Sequence, residues 1–152
     1  MQQSGSIVID RRIEDVFPLT LNHVKEWSKV VVDDEVIEAT PDVIGTQFRM
    51  VTGDRGQRME FLGIVTEHDP PYYSACQMVG KHFDMKVYYT FEANGERTTV
   101  TQESEITGKG PFRIILFLMG WLMKSASNDA IQVELKRLKK FCETYEGEII
   151  EY

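Results

Sequence analysis

The chain has 152 residues, 42% of them hydrophobic and 27% charged, with a formal net charge of −7. Residues 1–152 are therefore expected to form a single domain with a packed core, which excludes disordered, collagen-like and fibrous classes. A net negative chain without a basic stripe interleaved with aromatics repels a phosphate backbone, so no nucleic-acid partner is expected.

Met1 to Ser6 is polar and lacks the basic start and apolar centre of an export signal, which points to a cytoplasmic location. Ile7 to Asp10 is a short β-branched run and reads as a strand. Residues 11–22 and 23–31 follow with helical spacing, Ile13, Val16, Phe17 and Leu21 forming one face and Val24, Trp27 and Val31 another. Pro18 removes a backbone donor inside the first helix and is expected to kink or shorten it.

From residue 35 to 107 the period changes to two. Strands are expected near 35–40, 46–52, 58–67, 72–79, 83–93 and 97–107. Pro41-Asp42, Gly53-Asp54-Arg55-Gly56, Asp69-Pro70-Pro71, Gly80-Lys81 and Asn94-Gly95 separate them. Asn94-Gly95 suits a type I′ hairpin, in which both central residues have positive φ. Connections this short require antiparallel neighbours.

Gly108, Gly110 and Pro111 end the last strand and open a helix that runs toward Gly147, a candidate C-terminal cap. Met123, Ser127, Ile131, Leu135, Leu138 and Cys142 recur along one stripe, widened by Phe141 and Tyr145. Gly120 and Ser125 to Asn128 are weaker helix formers where a bend is expected. Lys136, Arg137, Lys139 and Lys140 read as cations favouring the negative end of the helix dipole, against a local anion site. Phe112 to Met123 is apolar nearly all round, yet about half the length a bilayer span needs. It is either deeply buried or a contact for a ligand, a membrane in transient touch, or a second subunit in a homodimer.

This order of elements, with Ile9-Asp10 before Ile13-Glu14-Asp15-Val16-Phe17, Trp27, Val43-Ile44-Gly45-Thr46, Asp69-Pro70-Pro71 and the hairpin exit from Gly95 to Val100, resembles the START-like (SRPBCC) superfamily, and within it the polyketide cyclase/dehydratase-like branch. The resemblance covers nearly the whole chain. It implies an α+β helix-grip fold: a seven-stranded curved antiparallel sheet wrapped on a long C-terminal helix, with two short helices between strands 1 and 2. It also implies an internal cavity between sheet and helix, and leaves its contents open.

With Glu60, Gln77 and Glu92 facing solvent, alternation turns Met59, Phe61, Cys76, Met78, Met85, Val87, Tyr89 and Phe91 toward the helix, with Phe48 and Met50 extending the floor. Ile131, Leu135 and Leu138 form the opposite wall. Val100 should point inward, which places Gln102 and Ser104 on the same side. These two either satisfy one another and internal water or direct a polar group of a ligand. The chain's seven methionines suit either core packing or an adaptable apolar site. Cys76 and Cys142 lack CxxC spacing and read as buried thiols rather than a disulfide.

His23, His68 and His82 are widely spaced without HxxxH, HExxH or Cys/His clustering, so neither a metal nor another cofactor is expected. Nucleotide-binding and GxSxG signatures are missing as well. The inward set holds no His, Asp or Glu, which leaves Tyr89 and His82 as weak catalytic candidates, with Asp84 beside the latter. The expected function is binding or carriage of a hydrophobic small molecule, a lipid, quinone, isoprenoid or polyketide-like compound. The alternatives are a cyclase- or dehydratase-like enzyme using the same cavity and a co-chaperone-like interaction module.

Overall fold

The computed structural model describes residues 1–54 and 56–151, without the side chains of residue 54 and residues 119–127. The described residues form, in order, β1 (Gln2–Ile9), α1 (Ile13–Asn22), α2 (Val24–Trp27), β2 (Val31–Glu38), β3 (Gln47–Asp54), β4 (Gln57–Asp69), β5 (Tyr73–Gly80), β6 (Phe83–Asn94), β7 (Arg97–Gly108) and α3 (Pro111–Thr144). The strands pair in the order β1-β7-β6-β5-β4-β3-β2, every neighbour antiparallel. This is the expected helix-grip arrangement.

Several boundaries differ from expectation for identifiable reasons. β1 begins at Gln2 rather than Ile7, because pairing with β7 extends to Gln2 opposite Glu105. Val31 belongs to β2, not to the second helix, which ends at Trp27. α1 continues through Pro18 to Asn22, and the carbonyl that loses its donor belongs to exposed Glu14. The β6–β7 register pairs Asn94 with Arg97, so the hairpin loop is Gly95-Glu96 and not Asn94-Gly95. Gly95 has φ of +65° and Asn94 is not left-handed, a turn with positive φ at its first central position only. The expected turn at residues 53–56 lies partly outside the described residues.

α3 lies along β1 and replaces the strand neighbour that this edge lacks. Ser4 N–H donates to Asn128 Oδ1 at 3.0 Å, Gln132 Nε2 to Ser6 O at 3.1 Å, Lys139 Nζ to Val8 O at 3.0 Å, and Asp10 N–H to Glu143 Oε2 at 2.8 Å. Gly5 makes the approach possible, since a Cβ there would fall 2.8 Å from Ile131 Cγ2. α3 is helical without interruption across Gly120 and Ser125 to Asn128, whereas the expected inward placement of Met123 and Ser127 falls on side chains outside the described set.

The C-terminal end of α3 corrects two expectations. The helix stops at Thr144, so Tyr145 caps it and Gly147 lies beyond. No basic residue occupies its last turn. Arg11 instead reaches from the β1–α1 link, its Nη1 donating to Cys142 O at 2.9 Å and to Tyr145 O at 2.5 Å. Arg137 and Lys139 serve as crosslinks to the backbone, Arg137 Nε donating to Trp27 O at 3.0 Å.

Behind these contacts Ile9, Val16, Leu19, Val100, Leu135, Leu138 and Cys142 are fully buried, with Trp27 and Phe91 nearly so. At roughly 2 kcal/mol for each large apolar side chain removed from water, this cluster of β1, β7, α1, α2 and the C-terminal half of α3 holds the fold together.

Candidate functional site: the concave face of the sheet

A second apolar cluster occupies the other part of the concave face. Phe61, Met78 and Val87 are buried, with Phe48, Met50, Cys76, Met85 and Tyr89 packed against them. Tyr89 also touches the first cluster and marks the boundary. Two glycines flatten the floor of this bay. A Cβ at Gly63 would fall 2.2 Å from Phe48 Cζ, and one at Gly80 would fall 2.5 Å from Phe61 Cε1. Both rings therefore lie down on the sheet rather than standing up into the bay.

The expected inward residues are thus divided between two environments. Phe48, Met50, Phe61, Cys76, Met78, Met85, Val87 and Tyr89 share the bay. Phe91, Val100, Ile131, Leu135 and Leu138 belong to the close-packed first cluster. Met59 shares the face of Phe61 but is 40% exposed, because it lies toward the β3–β4 turn, past the bay. Cys76 and Cys142 are free thiols. Burial pushes both up to about 12, and the Asp34 carboxylate adds to the rise at Cys76, so neither is a ready nucleophile near neutral pH.

Cross-strand partners share a face of a sheet, and the register draws a polar row across this one. Gln102 pairs with Tyr89, Tyr89 with Ser74, and Ser74 with His68, across β7, β6, β5 and β4. Among the described residues neither the Tyr89 hydroxyl nor the Gln102 amide has a hydrogen-bond partner. His68 Nδ1 is buried without one, and its ring lies 5.5 Å from that of Phe17. Burial lowers the His68 pKa, against a smaller opposing effect of Asp69, and so favours the neutral imidazole. Burial also raises the pKa of Tyr89, which keeps its phenol protonated and able to donate. Ser104, buried one step along the same face of β7 from Gln102, adds a hydroxyl without a partner among the described residues.

His68 corrects the expectation that no histidine or carboxylate faces inward. A β-bulge between Val65 and Glu67 inserts one residue, so that His68 rather than Glu67 continues the inward series of Phe61, Gly63 and Val65. Asp34 is the second correction. β2 starts at Val31, four residues earlier than expected, and places Asp34 opposite Met50 on the concave side. Its carboxylate has no hydrogen bond or ion pair among the described residues, and burial raises its pKa above the ordinary aspartate value, partly offset by Lys25.

His82 and Asp84 lie outside the bay. The His82 ring packs at a tilt against Phe112 with centroids 4.6 Å apart, and Asp84 pairs with Lys109 at 2.9 Å. A depression of about 200 Å³ at the β1–β7 edge, lined in part by Gln3, Tyr88, Glu103 and Glu105, is walled mainly by polar side chains. Among the described residues no group of three His, Cys, Asp or Glu could hold a metal ion, and no helix is long and apolar enough to cross a membrane.

Comparison with known proteins agrees with this geometry. No curated protein matches the sequence. Among solved structures, TTHA0849 from Thermus thermophilus superposes with a TM-score of 0.76 at 20% identity, over 93% of this chain and 97% of that one. A START superfamily protein from Mycobacterium smegmatis gives 0.79 at 15% identity, over 93% and 97%. The Zhui aromatase/cyclase from Streptomyces sp. R1128 gives 0.74 at 12% identity, over 94% and 93%. At these identities the likeness is one of fold. The sequence model of the family described as polyketide cyclase / dehydrase and lipid transport matches residues 2–143, and the chain belongs to that family, within the START-like superfamily.

Proposed function

We propose that the protein binds an apolar small molecule that carries hydroxyl or carbonyl oxygens, of the quinone, isoprenoid, lipid or polyketide-like kind. Its body rests on Phe48, Met50, Phe61, Met78, Met85 and Val87, and its oxygens meet Gln102, Tyr89 and His68. The observation that carries this reading is the polar row. A buried polar group is normally satisfied, and here His68 Nδ1 is buried without a partner, while the Tyr89 phenol and the half-buried Gln102 amide share its row with no hydrogen bond among the described residues. Strand spacing puts Tyr89 and His68 about 10 Å apart, two strands along the row, a span suited to oxygens at opposite sides of a ring system.

Thermal shift and native mass spectrometry with a quinone panel and with ring-matched hydrocarbons test the reading. Oxygenated compounds should bind, and Tyr89→Phe should weaken them roughly 5- to 15-fold, the loss of one hydrogen bond, while leaving hydrocarbons unaffected. Absence of any shift, together with purified protein that never carries a compound, would overturn it.

The neutral imidazole of His68, two strands along the row from a protonated phenol, also favours a second reading, a cyclase- or dehydratase-like enzyme. His68 would take a proton from a carbon next to a carbonyl, and Tyr89 would donate to the carbonyl oxygen. Incubation with aromatic polyketide-like carbonyl compounds, followed by mass spectrometry, distinguishes the two. Turnover that is lost in His68→Gln with binding retained supports the enzyme, and binding without turnover supports the carrier.

A further inference from the structure

We propose that the first turns of α3 form a docking face for an anionic lipid surface. Ile114, Phe117 and Leu118 recur at three- and four-residue steps and so share one side of the helix. They are 63, 85 and 62% exposed, and Ile115 beside them is 47% exposed. This part of the helix is held from its other side. The Phe112 ring lies 4.6 Å from His82 and 5.2 Å from Phe83, and Gly108 lets the first turn close on the end of β7, where a Cβ would fall 2.6 Å from Phe112 O. The apolar side chains therefore point to solvent from a fixed base.

Charge selects the partner. Between Glu105 and Asp129 the chain has no acid while carrying Lys109, Arg113 and Lys124, in a protein whose net charge is −7. The β5–β6 turn adds Lys81 at the same end, joined through Lys109 N–H donating to His82 O at 2.8 Å. Lys109 pairs with Asp84, whereas Arg113 and Lys81 are exposed and have no ion pair among the described residues. Apolar side chains bordered by unpaired cations suit the interface of an anionic bilayer. A second copy of this chain would fit less well, because a two-fold contact through this patch sets like charges against each other.

Flotation of the full chain with phosphatidylcholine vesicles, with and without phosphatidylserine, tests the proposal and requires no cavity ligand. The chain should float with the phosphatidylserine vesicles, weakly with phosphatidylcholine alone, and less as salt is raised. Phe117→Ser should lower vesicle partitioning more than about tenfold, and Arg113→Gln roughly fivefold. Both positions are exposed, so the circular dichroism melts should match the parent. No flotation with phosphatidylserine vesicles, or undiminished flotation of Phe117→Ser, overturns the proposal. So does light scattering that shows a dimer which Phe117→Ser dissolves.

Discussion

Asp34 is held where ionisation is unfavourable, on the concave side of β2 opposite Met50 and with no bonded partner for its carboxylate among the described residues. Its folded-state pKa is raised, chiefly by burial, so between the unfolded and folded values the native state binds more protons than the unfolded one. Stability attached to this group is therefore greatest in acid and falls as pH rises through the folded pKa. Asp34→Asn removes the charge and keeps the shape, and it should raise the melting temperature at pH 7. The gain should shrink as pH falls below the ordinary aspartate range, about 4. Paired thermal melts of parent and variant at neutral and acid pH provide the measurement, and an Asn variant that melts lower at pH 7 would show that the carboxylate is stabilising. A group that lowers stability while facing a ligand bay is the kind a site retains for recognition or proton transfer. His68 belongs with it, since its buried Nδ1 also lacks a partner.

At the level of elements, α3 is joined to the sheet along β1. Asn128, Gln132, Lys139 and Glu143 bond the outer edge of the strand, and Gly5 admits Ile131 to the sheet surface. The side-chain bonds are exposed and contribute modestly one by one, whereas the close approach at Gly5 sets the distance of the whole helix from β1. Gly5→Val should force α3 outward and destabilise by about 1–3 kcal/mol, the range for overpacking a close contact. Urea unfolding would detect it, and an unchanged midpoint would mean that Ile131 and Leu135 move aside freely. The same geometry explains why the basic run does not serve the helix end. Lys139 and Arg137 face carbonyls of β1 and α2, and Arg11, far away in sequence, reaches the last carbonyls of α3. Periodicity places that run on the helix, but long-range contacts assign its partners.

Across the whole molecule, strand alternation is enough to find the sheet, the closing helix and most of the bay, because inward residues such as Phe61, Met78, Val87 and Tyr89 recur at steps of two. Two local irregularities hide the polar groups. The bulge at Val65/Glu67 changes which residue faces inward near His68, and pairing with β3 draws Val31 to Asp34 into an edge strand where local pattern alone reads a helix and a link. The division into two clusters is likewise illegible, since Val100 and Val87 look alike in a list of inward residues while only the former is sealed by α1 and α3. That division leads to a prediction about dynamics. The cluster of β1, β7, α1 and the C-terminal half of α3 is closed by full burial and by the Arg11 bonds, whereas β2 is an edge strand with several exposed residues. Amides of β6, β7 and residues 131–142 should exchange with solvent most slowly, and those of β2 soonest. A ligand seated in the bay should then slow exchange mainly in β3, β4 and β5, with little change in β6, β7 and residues 131–142, whose protection already approaches that of global unfolding. Hydrogen-exchange mass spectrometry with and without a bound quinone measures both. Protection that rises first in β1 and residues 131–142 would place the ligand against the sealed cluster and not in the bay.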